Sequence, residues 1–190
     1  MILASSGWNS WVHRWLEMKG HFMLFRVCLL VIVVSSLGRA DGQAASGNTA
    51  QPVTDAQAAR VDQSVRSFMA GIARDVTREG PVAWRKHFAD SPVFFMVNDG
   101  QMAFAHSTDA TKGIHDFATK IRSIHLEWGS DLRVDPLTQG FAVVAASFSE
   151  EQNFLDGRSV QERGYFTGVA QMRDGRWQLR DAHWSSVRGQ

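Results

Sequence analysis

The sequence predicts an α+β domain in which helices cover a curved antiparallel sheet. Three observations carry this expectation. Apolar residues recur at helical spacing from Val61 to Val76, strand-like runs fill the chain after residue 125, and Asp156-Gly157 and Asp174-Gly175 mark tight hairpins between those runs.

The elements follow in order. Thr54-Asp55-Ala56-Gln57 has the pattern of a capping box, in which the threonine hydroxyl accepts from the third helical N–H and glutamine reaches back. Val61, Val65, Phe68, Ile72 and Val76 then fall on one face of a helix. Gly80-Pro81 ends it and opens a short second helix that sets Trp84 and Phe88 one turn apart. Val93 to Val97 reads as a strand, Asn98-Asp99-Gly100 as a turn, and Met102 to Ala105 as the returning strand. Thr111 is placed to cap a third helix carrying Ile114, Phe117, Ile121 and Ile124. Strands are expected over 125–134, 141–154, 159–172 and 176–186, with Asp135-Pro136 breaking the first connection. Such short connections require antiparallel pairing. The run 141–154 is apolar on both faces and should be central and covered on both sides, one cover being a second copy of the chain.

The 190 residues carry a formal charge of +1, with 44% apolar and 21% charged side chains. This balance supplies no basic excess for nucleic acid. The N-terminus reads as a secretory address: positive charge between Lys19 and Arg26, an uncharged run from Val27 to Leu37, then small residues at Gly38-Arg39-Ala40 and Gly42-Gln43-Ala44. Export to the periplasm or the exterior is expected, with membrane attachment only if this segment stays uncleaved. Trp8, Trp11 and Trp15 precede it at helical spacing, as an interfacial helix would have them or as residues ahead of a true start at Met18 or Met23. Cys28 is the sole cysteine, so no internal disulfide forms. The chain divides into a leader over 1–44, a linker over 45–53 and a domain over 54–190.

The element order resembles the nuclear transport factor 2-like superfamily, in its SnoaL-like branch. The resemblance rests on Trp84 with Phe88-Ala89-Asp90-Ser91-Pro92, the Asn98-Asp99-Gly100 turn and Lys112-Gly113-Ile114-His115-Asp116-Phe117. It is strongest in Gly164-Tyr165-Phe166-Thr167-Gly168-Val169, Asp174-Gly175-Arg176-Trp177-Gln178-Leu179 and His183-Trp184-Ser185. It covers residues 54–187 and implies a cone-like fold with an interior cavity and a homodimer through the sheet. Ketosteroid isomerases, polyketide cyclases, dehydratases, oligomerisation modules and transport factors share that fold, so it does not choose an activity. The family's isomerase residues are not carried over: the single tyrosine, Tyr165, falls in the late strands.

Strict alternation along 176–186 would place Trp177, Leu179, Asp181, His183 and Ser185 on one face. His183 with Asp181 is then the candidate acid/base pair in the cavity; a structural pair, or a bulge turning both outward, is the alternative. Trp84, Phe88, Phe95, Trp128, Phe166 and Trp177 are the candidate aromatic lining, and His106 the candidate at its mouth. Glu150, Glu151 and Glu162 read as solvated strand carboxylates, and His87 and His115 as exposed helical residues. No histidine spacing suggests a metal site, and no nucleotide or cofactor motif occurs. The expected role is binding of a small, largely apolar molecule. The alternatives are an isomerase, cyclase or dehydratase chemistry on His183 and Asp181, and a structural dimerisation module.

Overall fold

The computed structural model describes residues 53–187, so the expected signal segment, Cys28 and the linker up to residue 52 lie outside the described residues. Helix α1 (Asp55–Glu79) opens on the expected capping box: Thr54 accepts from the Gln57 N–H and the Gln57 side chain accepts from the Thr54 N–H. Its inner face buries Val61, Val65, Met69, Ile72 and Val76. Gly80 ends it at φ 78°, a conformation that favours glycine, and a 3₁₀ turn (Pro81–Ala83) leads into the short α2 (Trp84–His87). Strands β1 (Phe95–Asn98) and β2 (Gln101–Phe104) form a hairpin whose two turn residues, Asp99 and Gly100, both have positive φ. Helix α3 (Ser107–Ala118) follows, then β3 (Ile121–Trp128), β4 (Arg133–Thr138), β5 (Phe141–Phe154), β6 (Ser159–Arg173) and β7 (Arg176–Ser186).

All of these strands join one 7-stranded sheet in the order β2-β1-β7-β6-β5-β3, with β4 also on β5. The pairings from β3 to β7 are antiparallel as expected; β1, however, runs parallel to β7. Helix α1 is fastened across the sheet by indoles. Trp128 Nε1 donates to the Met69 carbonyl at 2.8 Å, and Trp177 Nε1 donates to Ser64 Oγ at 2.7 Å. Each fully buried Val, Ile, Met or Phe under that helix contributes about 1.5–3 kcal/mol relative to exposure.

Three local expectations are corrected. Helix α3 begins four residues before Thr111, with His106 at the cap position and no side-chain cap bond. Ile121 and Ile124 belong to β3: a bulge beside Ile121 turns both inward, so a strand irregularity imitates a helical step of three. The run 125–134 is two strands, because between them Asp131 Oδ1 accepts from the Ser147 N–H at 3.0 Å in place of a ladder carbonyl. Pro136 then lies within β4, whose only partner among the described residues is β5, an edge position that a residue without N–H tolerates.

The inner face of β5 is buried from Ala142 to Phe154, whereas Phe141, Val143 and Ala145 on its outer face are half-buried in the single chain.

Candidate functional site

The site begins with a parity change in β7. In β6–β7 pairing, Val169 faces Asp181 and Ala170 faces Leu179, which leaves Arg180 as an extra residue. One inserted residue reverses the side-chain alternation beyond it. Trp177 and Leu179 point inward before the bulge; Ala182 and Trp184 point inward after it. His183 is therefore exposed on the outer face, level with Val97 of β1, and Asp181 lies beside Phe95 on the same outer face. Asp181 is partly buried there, 3.8 Å from Arg180, and burial holds its carboxyl above the usual carboxylate range despite that guanidinium. The pair expected to work in the cavity does not face it.

The hollow itself lies between α2, α3, the β1–β2 hairpin and the ends of β5, β6 and β7. Trp84 and Phe88 line one wall as expected, stacked 5.2 Å apart. Trp184 closes the floor, edge-on to Trp84 at 5.6 Å and to Phe148 at 4.8 Å. Met96 and Phe104 come from the hairpin, and Gly113, Ile114 and Phe117 from α3. The cleft measures about 520 Å³ counting the part open to solvent, but only about 20 Å³ of it admits the centre of a water molecule. That is room for about one ordered water.

Other expected lining residues fall elsewhere. Phe95 is 39% exposed on the outer face. His106 is exposed at the start of α3. Trp128 and Phe166 pack behind Trp184 and only buttress the floor. Trp177 is occupied under α1 by its bond to Ser64.

The polar groups of the cleft are Asn98, Glu150 and Glu162. The two glutamates sit directly opposite each other on β5 and β6, only 7% and 6% exposed. This corrects the expectation that they are solvated. Burial pushes the Glu150 carboxyl up to about 8; the bond from Gln152 Nε2, 2.5 Å long, opposes this and the neighbouring Glu162 adds to it. Burial likewise raises Glu162, against the bond it accepts from Ser186 Oγ and with the charge of Asp99. Asp99 in turn accepts from the Ser186 N–H at 2.7 Å, tying the β1–β2 turn to the end of β7. At neutral pH the pair holds at least one proton, so it presents both a donor and acceptors to whatever enters.

A signal for these residues was present in the sequence. The inner-face series Ala142, Val144, Ala146, Phe148 continues by twos to Glu150 and Gln152, and counting back from Phe166 on β6 reaches Glu162. His87 is a second correction: it is buried, with Nε2 3.3 Å from Asp75 Oδ2, and burial lowers its pKa.

No family model matches the sequence, and no curated protein matches it. Solved structures do. A nuclear transport factor 2-like superfamily protein from Salmonella enterica serovar Typhimurium is 12% identical, with a TM-score of 0.59 over 69% of this chain and 94% of that one. A putative scytalone dehydratase from Novosphingobium aromaticivorans is also 12% identical, with a TM-score of 0.58 over 66% of this chain and 83% of that one. A putative calcium/calmodulin dependent protein kinase II association domain from Xanthomonas campestris is 17% identical, with a TM-score of 0.55 over 66% and 87%. The chain has the nuclear transport factor 2-like fold that its sequence resembled.

Proposed function

We propose that this chain binds a small, largely apolar molecule in the cleft, with Glu150 and Glu162 receiving its polar end. The observation that carries this reading is a cross-strand carboxyl pair buried in a wall otherwise made of Trp84, Phe88, Phe148 and Trp184. Buried carboxyls without a counter-charge destabilise the fold, and a partner supplied by a ligand offsets that penalty. A putative dehydratase among the structural neighbours supports the use of such a hollow for small molecules on this fold. The test is mass spectrometry of molecules retained by natively purified protein, followed by thermal denaturation with each compound found and with a panel of aliphatic and aromatic compounds. A bound molecule raises the unfolding temperature by mass action. An empty protein that no compound stabilises overturns the reading and leaves the structural module, for which the association domain among the neighbours is the precedent.

One observation favours acid/base catalysis as a second reading. Glu150 keeps its proton up to about pH 8 beside a second carboxyl, the arrangement of a general acid next to its base. Under this reading Glu150 and Glu162 take the roles that the sequence pattern gave to His183 and Asp181. Turnover of a carbonyl substrate that survives Glu162→Gln unchanged would exclude it.

Export and a homodimer through the outer sheet face complete the proposal. Phe95 and Tyr165 stand exposed on that face beside half-buried Val143 and Ala145. Sedimentation velocity should give a dimer that Tyr165→Glu dissociates; a monomer at all concentrations removes this part.

A further inference from the structure

The surroundings of the carboxyl pair narrow the chemistry of the ligand's polar end, an inference that rests on the cleft being a binding site. Every charged neighbour acting on the pair is itself acidic: Glu162 acts on Glu150, and Asp99 acts on Glu162. Among the described residues, no lysine, arginine or histidine lines the cleft. The hydrogen bonding is equally one-sided. Gln152 Nε2 and Ser186 Oγ each donate to the Oε1 of one glutamate, and both of these donors are neutral.

Gln152 is an independent observation. Its side chain is fully buried, its amide N–H is turned onto Glu150, and its carbonyl oxygen has no donor. A buried acceptor without a donor costs about 1–3 kcal/mol in general. The acidic pair thus has, bonded to it and just outside the cleft lining, a buried acceptor without a donor. Around them stand the rings of Trp84, Phe88, Phe148 and Trp184, whose faces attract cations.

We propose that the ligand is a lipophilic amine, held as its ammonium ion at Glu150 and Glu162 with its apolar body between the aromatic walls. A protonated primary amine brings N–H donors and one positive charge, the counter-charge that an acidic pair with only acidic charged neighbours lacks. A carboxylate ligand would meet like charge, and an alcohol would supply one donor and no charge.

The experiment titrates the full chain at pH 7 with decylamine, decanol and decanoate, following the tryptophan fluorescence of the cleft. Decylamine is expected to bind at least ten times more tightly than decanol, and decanoate more weakly than either. In Glu150→Gln and Glu162→Gln the amine preference should fall about tenfold or more, with unchanged circular dichroism showing that the variants are folded. Decanol or decanoate binding as tightly as decylamine, or an amine preference that survives both substitutions, overturns this inference and leaves the cleft reading standing. If none of the three binds, this inference is overturned, and the cleft reading is decided by the retained molecules and the wider compound panel.

Discussion

Glu150 of β5 faces Glu162 of β6 directly across the sheet, and both side chains are buried in the wall of an aromatic cleft. Like charges opposite each other on a sheet are destabilising, and burial multiplies the effect. The fold tolerates the pair by protonation and by the bonds from Gln152 and Ser186.

Stability should therefore depend on pH in a definite direction. In the unfolded chain Glu150 loses its proton near 4.5, whereas in the folded chain it keeps the proton to about 8. The folded state binds the extra proton between those values, so the slope of stability against pH is negative there. The contribution is complete below about pH 4.5 and is lost as pH rises through about 8. Each unit of difference corresponds to about 1.4 kcal/mol. Urea unfolding at pH 5 and pH 8 should show wild type losing stability on the order of a few kcal/mol, and Glu150→Gln losing much less. Equal losses in both proteins would contradict the assignment.

Trp184 is the keystone of the cleft floor, in ring contact with Trp84, Trp128, Phe148 and Phe166. Truncation to alanine opens a cavity beneath all of them. Trp184→Ala should cost about 3–5 kcal/mol in chemical denaturation. A cost under about 1 kcal/mol would mean that the floor collapses to fill the space.

Gly164 lies between the inward side chains of Glu162 and Phe166 on β6. A Cβ there would come within 2.1 Å of the Ser185 carbonyl oxygen and 2.9 Å of the Phe148 ring. The first contact is with backbone and cannot be relieved by a rotamer change. Gly164→Ala should destabilise by about 1–3 kcal/mol or more. Gly140, whose nearest neighbour to an added Cβ is 3.8 Å away, is the matched control and should tolerate alanine.

His183 supplies the control for the site. Its side chain is exposed on the outer sheet face, away from the cleft. His183→Ala should change stability by no more than about 0.5 kcal/mol and leave decylamine binding unaltered. Loss of binding in this variant, with the fold intact by circular dichroism, would place the ligand on the outer face.

Much of the architecture was legible because it depends on short-range patterns. The capping box at Thr54, the inner face of α1, the β1–β2 turn at Asp99-Gly100 and the two Asp-Gly hairpins each need only a few neighbouring residues to be recognised. The site was less legible. Trp84 and Phe88 were found, but Phe95, His106, Trp128, Phe166 and Trp177 were assigned to a lining they do not form. The causes differ: Trp128, Phe166 and Trp177 do face inward but pack elsewhere in the core, His106 sits at a helix cap, and parity misplaced the β7 pair. Reading alternate residues assumes an unbroken zigzag, and the extra residue Arg180 invalidates that assumption for Asp181 and His183. No glycine or proline marks that bulge; it shows only when β6 is laid against β7.

The sequence by itself determined most of the helices and strands, where most of the tight turns fall, and that an aromatic-rich inner face must be covered. These follow from local propensity and periodicity, which act over a few residues. The tertiary structure alone decided which polar groups share the hollow. Glu150 and Glu162 are twelve positions apart in the chain and meet only through the β5–β6 register, while His183 is turned away by one inserted residue in β7. Register is a cooperative property of whole strands, set by the sum of many pairings.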